Sequence, residues 1–500
     1  MDEETVNESL EAFDMDLDTF DLDKISLSDF DTDLRDLSAF VKKIRSGHRA
    51  NTAFPRREVF GSGEAAEDIE VTEAYQTVVN VIKNGEPIVL VHGRAGTGKS
   101  TLIRFLKQTM KLNLAVIAPT GIAALNAGGQ TIHSFCCFPP RVITGRYIRQ
   151  RKPDLCRNLD LLVLDEISMV RADLLDGVDR FLRLNGRNPN LPFGGVQILM
   201  VGDFFQLAPV VASREEEQYL REYYGGEYFF FAPAFQNAKC FTVELDHIFR
   251  QKDPEFIELL NHIREGTEPE TTVARFNELC VRPPIPGPGT VTLTCTNRQA
   301  EQINREAMTL LPGEPRSFKA AISGEGFDNA RRPPAPVELM LKEQAQVMFT
   351  RNDREGKRWV NGTVGTVTGF SGSSIQVQIR GGAHDGKIVE AKPAVWEHIR
   401  YRLDRKTGAI KPMVIGTFTQ FPLIPAWAVT IHKAQGQTFD RAIVDLGSGA
   451  FSSGQLYVAL SRCRTLGGLS LSRPICSEDV ICDPVIVQMN QFLKAREARQ

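Results

Sequence analysis

Five hundred residues exceed what one hydrophobic core serves, so the chain should fold as two or more domains. Its 42% hydrophobic and 24% charged side chains are ordinary for a soluble protein, and no stretch resembles a membrane span. The net charge of −3 hides an asymmetry: residues 1–40 hold fourteen acids against Lys24 and Arg35, or −12, which leaves +9 for the other 460 residues. A mildly basic body of that kind is compatible with a phosphate-lined channel.

The N-terminus is acidic and lacks the basic and apolar segments of a secretory signal or transit peptide, so an intracellular protein is expected, cytoplasmic and nucleoid-associated if bacterial. Nine scattered cysteines with no C-x-x-C pair read as buried reduced thiols rather than disulfides or zinc ligands. Over residues 1–60, acids alternate with single apolar residues, as in the run from Phe13 to Asp23. Like charges so close together repel, and the composition is that of an acidic disordered tail. It is either a solvated segment or, given Phe13, Phe20, Phe30 and Phe40 among the acids, one whose residues 1–50 dock a protein partner or cover the protein's own basic groove.

Residues 61–245 follow a strand-helix rhythm. Apolar strands are expected at Ile88–Val91, Leu114–Ala118, Leu161–Leu164 and Gln197–Val201, each without polar alternation and therefore buried on both faces of a parallel sheet. Between the first strand and a helical pattern (Leu102, Ile103, Phe105, Leu106) lies Gly93-Arg94-Ala95-Gly96-Thr97-Gly98-Lys99-Ser100, a G-x-x-x-x-G-K-S loop. Glycines at a strand-to-helix turn let backbone N–H groups converge on phosphate oxygens, and the helix N-terminus adds positive potential. Lys99 would reach the β- and γ-phosphates, Ser100 would hold Mg²⁺, and Thr101 continues the cradle. The fold implied is a RecA-like nucleotide domain. Its third apolar strand ends in Asp165-Glu166, suited to the Mg²⁺ shell and to an attacking water respectively, and Gln206 follows the fourth strand where it can meet a γ-phosphate. Residues 136–158, with Pro139, Pro140 and many basic side chains (Arg141, Arg146, Arg149, Arg151 and Lys152 among them), form a small insertion.

Residues 246–500 make a second domain. Asp253-Pro254 opens a helix whose face carries Phe256, Ile257, Leu260 and Ile263, and Gly266 follows its end. Strands are expected at Val291–Cys295 and Ala442–Leu446. The excursion between them contains Thr363–Phe370 and the strictly alternating Ser374–Arg380, which read either as a small β-barrel over 360–415 or as an elaborated hairpin.

Taken in order, the motifs resemble a known family, the DNA helicases of the petite-integration-frequency type, relatives of RecD within helicase superfamily one. The resemblance rests on Pro119–Ala124, Gly129–Phe135, Asp165–Met169, Gly202–Leu207, Ile248–Gln251, Trp359–Gly362, Thr430–Thr438 and Tyr457–Arg462, and spans about four-fifths of the chain. It implies two RecA-like P-loop domains in an α/β fold, a wedge at 136–158, an SH3-like barrel at 360–415, and ATP with Mg²⁺ as cofactors. It further implies that Gln76 reads adenine, that Gly436 lies at the nucleotide, and that Arg250 and Arg462 complete the ATP site from the second domain. Thr120, Gly121, Thr131, His133, Pro209, Asn361, Thr430, His432 and Lys433 match positions lining a single-strand path, with Phe135 and Phe204 as base-stacking candidates. The implied activity is 5′-to-3′ translocation on single-stranded DNA by a monomer, with unwinding of duplex forks, RNA–DNA hybrids and four-stranded guanine folds. Two alternatives are a RecD-type subunit of a recombination complex and a nucleotide-regulated single-strand-binding protein. Ala208 and Ala434 depart from the family's usual proline and serine.

Overall fold

The computed structural model describes residues 69–283, 288–325, 327, 333–353 and 358–497. The acidic tail read over 1–60 lies outside them. Among the described residues no helix is long and apolar enough to cross a membrane, and all nine cysteines are free thiols.

The first half is a six-stranded sheet wrapped by helices. In chain order its elements are α1 (Glu73–Lys83), β1 (Ile88–Gly93), α2 (Lys99–Thr109), β2 (Leu114–Ala118), α3 (Gly121–Asn126), β3 (Gln130–Thr131), α4 (Ile132–Cys136) and α5 (Pro153–Asn158). There follow β4 (Leu161–Leu164), α6 (Ala172–Asn185), β5 (Gln197–Gly202), α7 (Arg214–Tyr224), α8 (Pro233–Gln236) and β6 (Cys240–Leu245). The strand order is β3-β2-β4-β5-β1-β6 and every pairing is parallel. β1, β4 and β5 are buried throughout, as their unbroken apolar sequences require. Each strand is short and ends at the same edge of the sheet, where ligands bind in parallel α/β sheets.

The segment read as an insertion at 136–158 carries no strand, and its backbone is held by buried side chains of α6. Asp173 accepts the Ile143 N–H at 2.7 Å, and Asn185 accepts the N–H groups of Arg151 and Lys152 at 2.9 Å each. Phe138, Ile143, Leu155 and Cys156 are buried beneath it, while Arg141, Arg146, Arg149 and Arg151 stay exposed.

The second half begins with α9 (Pro254–Glu265), α10 (Pro269–Cys280), β7 (Val291–Thr294) and α11 (Asn297–Leu310). Asp253 caps α9 by accepting the Glu255 N–H, and Gly266 ends it at φ +65°. An excursion follows through β8 (Arg316–Lys319), β9 (Ala321–Gly324), β10 (Glu338–Leu341), β11 (Gln346–Phe349), β12 (Val364–Ser371), β13 (Ser374–Arg380), β14 (Ile388–Ala391), β15 (Ala394–Leu403), β16 (Ile410–Gln420) and β17 (Leu423–Pro425). The chain then returns with β18 (Ala428–Thr430), β19 (Ala442–Asp445), α12 (Gln455–Leu460), β20 (Leu469–Leu471) and α13 (Pro484–Glu497). β18-β7-β19-β20 is a second parallel sheet.

Two readings of this half need correction. The inserted unit expected over 360–415 divides between two sheets. β14-β13-β12-β11-β17 is antiparallel and reaches from 346 to 425, whereas β15 and β16 form a separate hairpin whose β16 pairs with β9. That long hairpin docks on the first sheet because its apolar residues find cover there: Tyr401 is 5% exposed within the first core, with Ile399 and Ile410 against it. The Tyr401 hydroxyl accepts the Val116 N–H at 3.2 Å, at the point where β2 has no β3 residue opposite. Likewise the range 246–500 is not one packing unit, since Ile486, Met489 and Leu493 of α13 are buried in the first core.

Candidate active site

The loop between β1 and α2 is shaped by close approaches that only glycine permits. A Cβ at Gly93 would lie 2.6 Å from the Leu245 carbonyl oxygen on β6, and Gly96 and Gly98 sit at φ +86° and +89°. The loop is tied down from two sides: the Tyr75 hydroxyl donates to the Gly98 carbonyl at 2.7 Å, and Thr97 Oγ1 donates to Arg94 O at 3.0 Å. Lys99 Nζ donates to the carbonyls of Gly93 and Arg94, both at 2.8 Å. No acid stands in the first turn of α2, so its N-terminal amides and Lys99 add positive potential at the loop. Ser100 is exposed and Thr101 half-buried at the start of that helix, and Gln76 is exposed beside Tyr75 on α1.

Two carboxylates end β4. Asp165 accepts the Glu166 N–H at 3.0 Å, and Glu166 adopts a left-handed backbone, φ 53° and ψ 50°, which costs a non-glycine residue about 1 kcal/mol or more. Burial and the neighbouring Glu166 push Asp165 up to about 7. Burial also raises Glu166, against the pull of Lys99 and Arg462. Lys99 is lowered by burial, with Asp203 and Glu166 opposing.

The facing wall comes from the segment after β6 and from α12. Arg250 packs on the loop so closely that a Cβ at Gly96 would lie 2.6 Å from its own Cβ. Its guanidinium donates to the Ser461 carbonyl at 3.2 Å, and Gln251 donates to the carbonyls of Ser461 and Cys463, both at 3.0 Å. Those bonds fix the turn that carries Arg462, which is 1% exposed and donates to Val458 O at 2.8 Å and Ser461 Oγ at 2.8 Å. Burial draws Arg250 down to about 9 and Arg462 down to about 10, so both are cationic at neutral pH.

Four further residues belong to this cleft and were not singled out as site residues in the sequence. Asp203 is fully buried after β5. It accepts from Arg264 of α9 at 3.2 Å, from Gln206 Nε2 at 3.0 Å and from the Tyr457 hydroxyl at 3.3 Å. The Tyr457 oxygen also accepts the Ala95 N–H of the glycine loop at 3.0 Å, and the Arg264 guanidinium lies 4.0 Å over the Phe205 ring. Burial would raise Asp203, but Arg264, Lys99 and Gln206 outweigh it and hold the carboxyl low. A signal for Arg264 exists in the sequence: it falls eight residues after Phe256, on the apolar stripe of α9 that also holds Leu260 and Ile263. The fourth, Gln435, donates through Nε2 to Glu166 Oε2 at 3.2 Å and to Gln206 Oε1 at 3.3 Å.

The residues matched to a strand path sit beyond the carboxyl ends of strands in both sheets. Thr120 and Thr131 cap α3 and α4, accepting the N–H groups of Ala123 and Ser134 at 3.2 Å each. Gly121 is exposed and His133 half-buried. Across the cleft, Thr430 ends β18 and its hydroxyl accepts the Lys433 N–H at 3.3 Å; His432 is half-buried and Lys433 exposed. Burial lowers the His432 imidazole. Asn361 Nδ2 donates to Asn126 Oδ1 of α3 at 3.5 Å, so the two halves meet along this line. Gly436 is exposed at φ +75°, whereas Pro209 is buried. The two aromatic candidates for base stacking are corrected: Phe135 is 0% exposed against Phe181 and Tyr401, and Phe204 is 2% exposed between His92 and Phe229. Both apolar rings are spent on the core.

The chain is similar to known proteins over most of its length. The PIF1-like helicase family profile matches residues 68–274. An ATP-dependent DNA helicase PIF1 of Emericella nidulans is 31% identical over 458 residues, covering 79% of this chain and 59% of that protein. An ATP-dependent DNA helicase Pif1 of Bdellovibrio bacteriovorus is 32% identical over 416 residues, covering 81% of this chain and 88% of the relative. The chain thus spans under two thirds of the fungal protein and most of the bacterial one. Among solved structures, Bacteroides sp Pif1 in complex with ADP-AlF4 superposes with a TM-score of 0.78 at 36% identity, over 86% of this chain and 98% of that one. The same protein bound to single-stranded DNA gives 0.62.

Proposed function

The chain belongs to the PIF1-like helicase family, and we propose that it is an ATP-dependent DNA helicase that moves 5′ to 3′ along single-stranded DNA. The observation that carries this reading is the convergence of Lys99, Asp165, Glu166 and Gln206 from the first sheet with Arg250 from the segment after β6 and Arg462 from the second half around a single glycine loop. Arginines supplied from a separate half stabilise a phosphoryl-transfer transition state only when the halves are together, which ties hydrolysis to relative motion.

In this reading the loop amides and Lys99 hold the β- and γ-phosphates, and Gln76 reads the adenine. Glu166 orients and deprotonates the attacking water, Gln206 senses the γ-phosphate, and Arg250 and Arg462 take up charge as the terminal P–O bond breaks. Gly436 borders the same nucleotide. Ser100 and Asp165 supply two oxygen donors, which fits Mg²⁺ taking the rest of its shell from phosphates and water. That ion would neutralise charge building on the β- and γ-oxygens. Thr120, Gly121, Thr131, His133, Asn361, Thr430, His432 and Lys433 grip successive phosphates of the strand without reading bases. The exposed arginines of 136–158 act as the wedge that parts the duplex, and forks, RNA–DNA hybrids and guanine quadruplexes are the proposed substrates. Residues 1–50 are the proposed site of a protein partner or of self-inhibition.

The test is steady-state ATP hydrolysis by the full chain, with and without a single-stranded oligonucleotide. Turnover should rise severalfold with the strand, and Lys99→Ala should abolish it. Tight strand binding without any rise in turnover would instead mark a nucleotide-regulated clamp.

A further inference from the structure

Gln435 belongs to the turn that follows β18, and that turn is stiff. Ala434 N–H donates to Thr430 O at 2.9 Å, Gln435 N–H to His432 O at 3.2 Å, and Gln437 N–H to Ala434 O at 3.0 Å, while the Thr430 hydroxyl caps its start. One end of this rigid turn carries His432 and Lys433, the proposed strand contacts. The other end places one amide nitrogen between Glu166 Oε2 and Gln206 Oε1, 3.2 and 3.3 Å away. A primary amide has two hydrogens, so both bonds can be made at once. The acceptors it engages are the two groups that must hold the attacking water and meet the γ-phosphate.

We propose that Gln435 is a positioning residue that couples the strand to hydrolysis: its amide occupies the water-holding oxygens of Glu166 and Gln206, and a strand seated on His432 and Lys433 draws it away. This rests on the reading of the cleft as a strand-stimulated ATPase. Because the turn is cross-braced, displacement at residues 432–433 moves residue 435 with it. Once the amide withdraws, Glu166 Oε2 and Gln206 Oε1 are free to accept from water, and Glu166 can take its proton. No other residue described in the cleft contacts both of these groups while lying on the same turn as the proposed strand contacts. The coupling requires no change in Arg250 or Arg462.

The experiment measures kcat at saturating ATP, with no DNA and with saturating oligothymidylate, for the full-length wild type, Gln435→Ala and Gln435→Met. Gln435→Met keeps the length and a similar volume but has no hydrogen-bond donor and adds no charge beside Glu166, so it separates lost packing from the lost amide. Both variants should raise DNA-free turnover about 5-fold or more, the scale of a site-to-site coupling, while DNA-saturated turnover stays within about twofold, so that the stimulation factor collapses. Oligothymidylate affinity, read by anisotropy, should be no weaker than wild type, because the strand no longer has to displace the amide. A stimulation factor equal to wild type in Gln435→Met, or a fall in DNA-free turnover in both variants, overturns the proposal. A wild type whose turnover ignores DNA overturns the ATPase reading first, and the coupling with it.

Discussion

Two buried charge clusters share one cleft and are built in opposite ways. Asp203 and Arg264 neutralise each other, 0% and 2% exposed, with the carboxyl held low and the guanidinium's affinity for its proton raised by its partner despite burial. A few residues away, Asp165 and Glu166 are raised, and Lys99, Arg250 and Arg462 are lowered. Burial dominates each of those five shifts because no described partner fully compensates the charge. The first cluster is a joint that holds the two sheets together. In the proposed reading the second keeps its charges available to a triphosphate, as perturbed groups at functional sites do.

The contrast can be broken first at Arg462. Arg462→Ala should lower ATP turnover by about 10³-fold or more, the scale of an arginine supplied across a phosphoryl-transfer site, while changing nucleotide affinity much less; rapid-quench turnover and equilibrium binding on the same sample separate the two effects. At the joint the effect falls on stability instead. Arg264→Met leaves Asp203 buried and unpaired, and urea unfolding should report a loss of about 3–5 kcal/mol, part of which Asp203→Asn in the same chain restores.

The smallest effect has a pH signature. An aspartate whose folded pKa is about 7, above its unfolded value, favours the folded state less and less as pH rises from about 4 to about 7, because the folded form binds the extra proton. Asp165→Asn should therefore unfold at a higher temperature than wild type at pH 8. The advantage should shrink towards pH 4, by at most about 1.4 kcal/mol per unit. An advantage that grows towards acid would mean that the carboxylate is stabilised in place, as Asp203 is.

What could be read from sequence was whatever is local. β1, β4 and β5 announce themselves as unbroken apolar runs, and the glycine loop by its spacing, because backbone geometry dictates both. Phe135 and Phe204 misled because an aromatic beside a nucleic-acid motif looks the same in sequence whether its ring faces a base or a core. The docking of the long hairpin was illegible for a different reason: Tyr401 meets Val116 across 285 positions of chain, and nothing near either residue specifies the other. Gln435 stood in a quoted motif, yet its two bonds reach 269 and 229 positions back and exist only because the two sheets face each other. Arg264 lay between these cases, visible as a charge on an apolar stripe but without its partner named.

The central claim is that this two-walled site drives a strand through the cleft in one direction. Strand displacement by the full chain with ATP, on one duplex bearing either a 5′ or a 3′ single-stranded tail, tests it most directly. Displacement of the 5′-tailed substrate alone, lost in Arg462→Ala, is the predicted result. Equal displacement from both tails, or activity that survives Arg462→Ala undiminished, would contradict it.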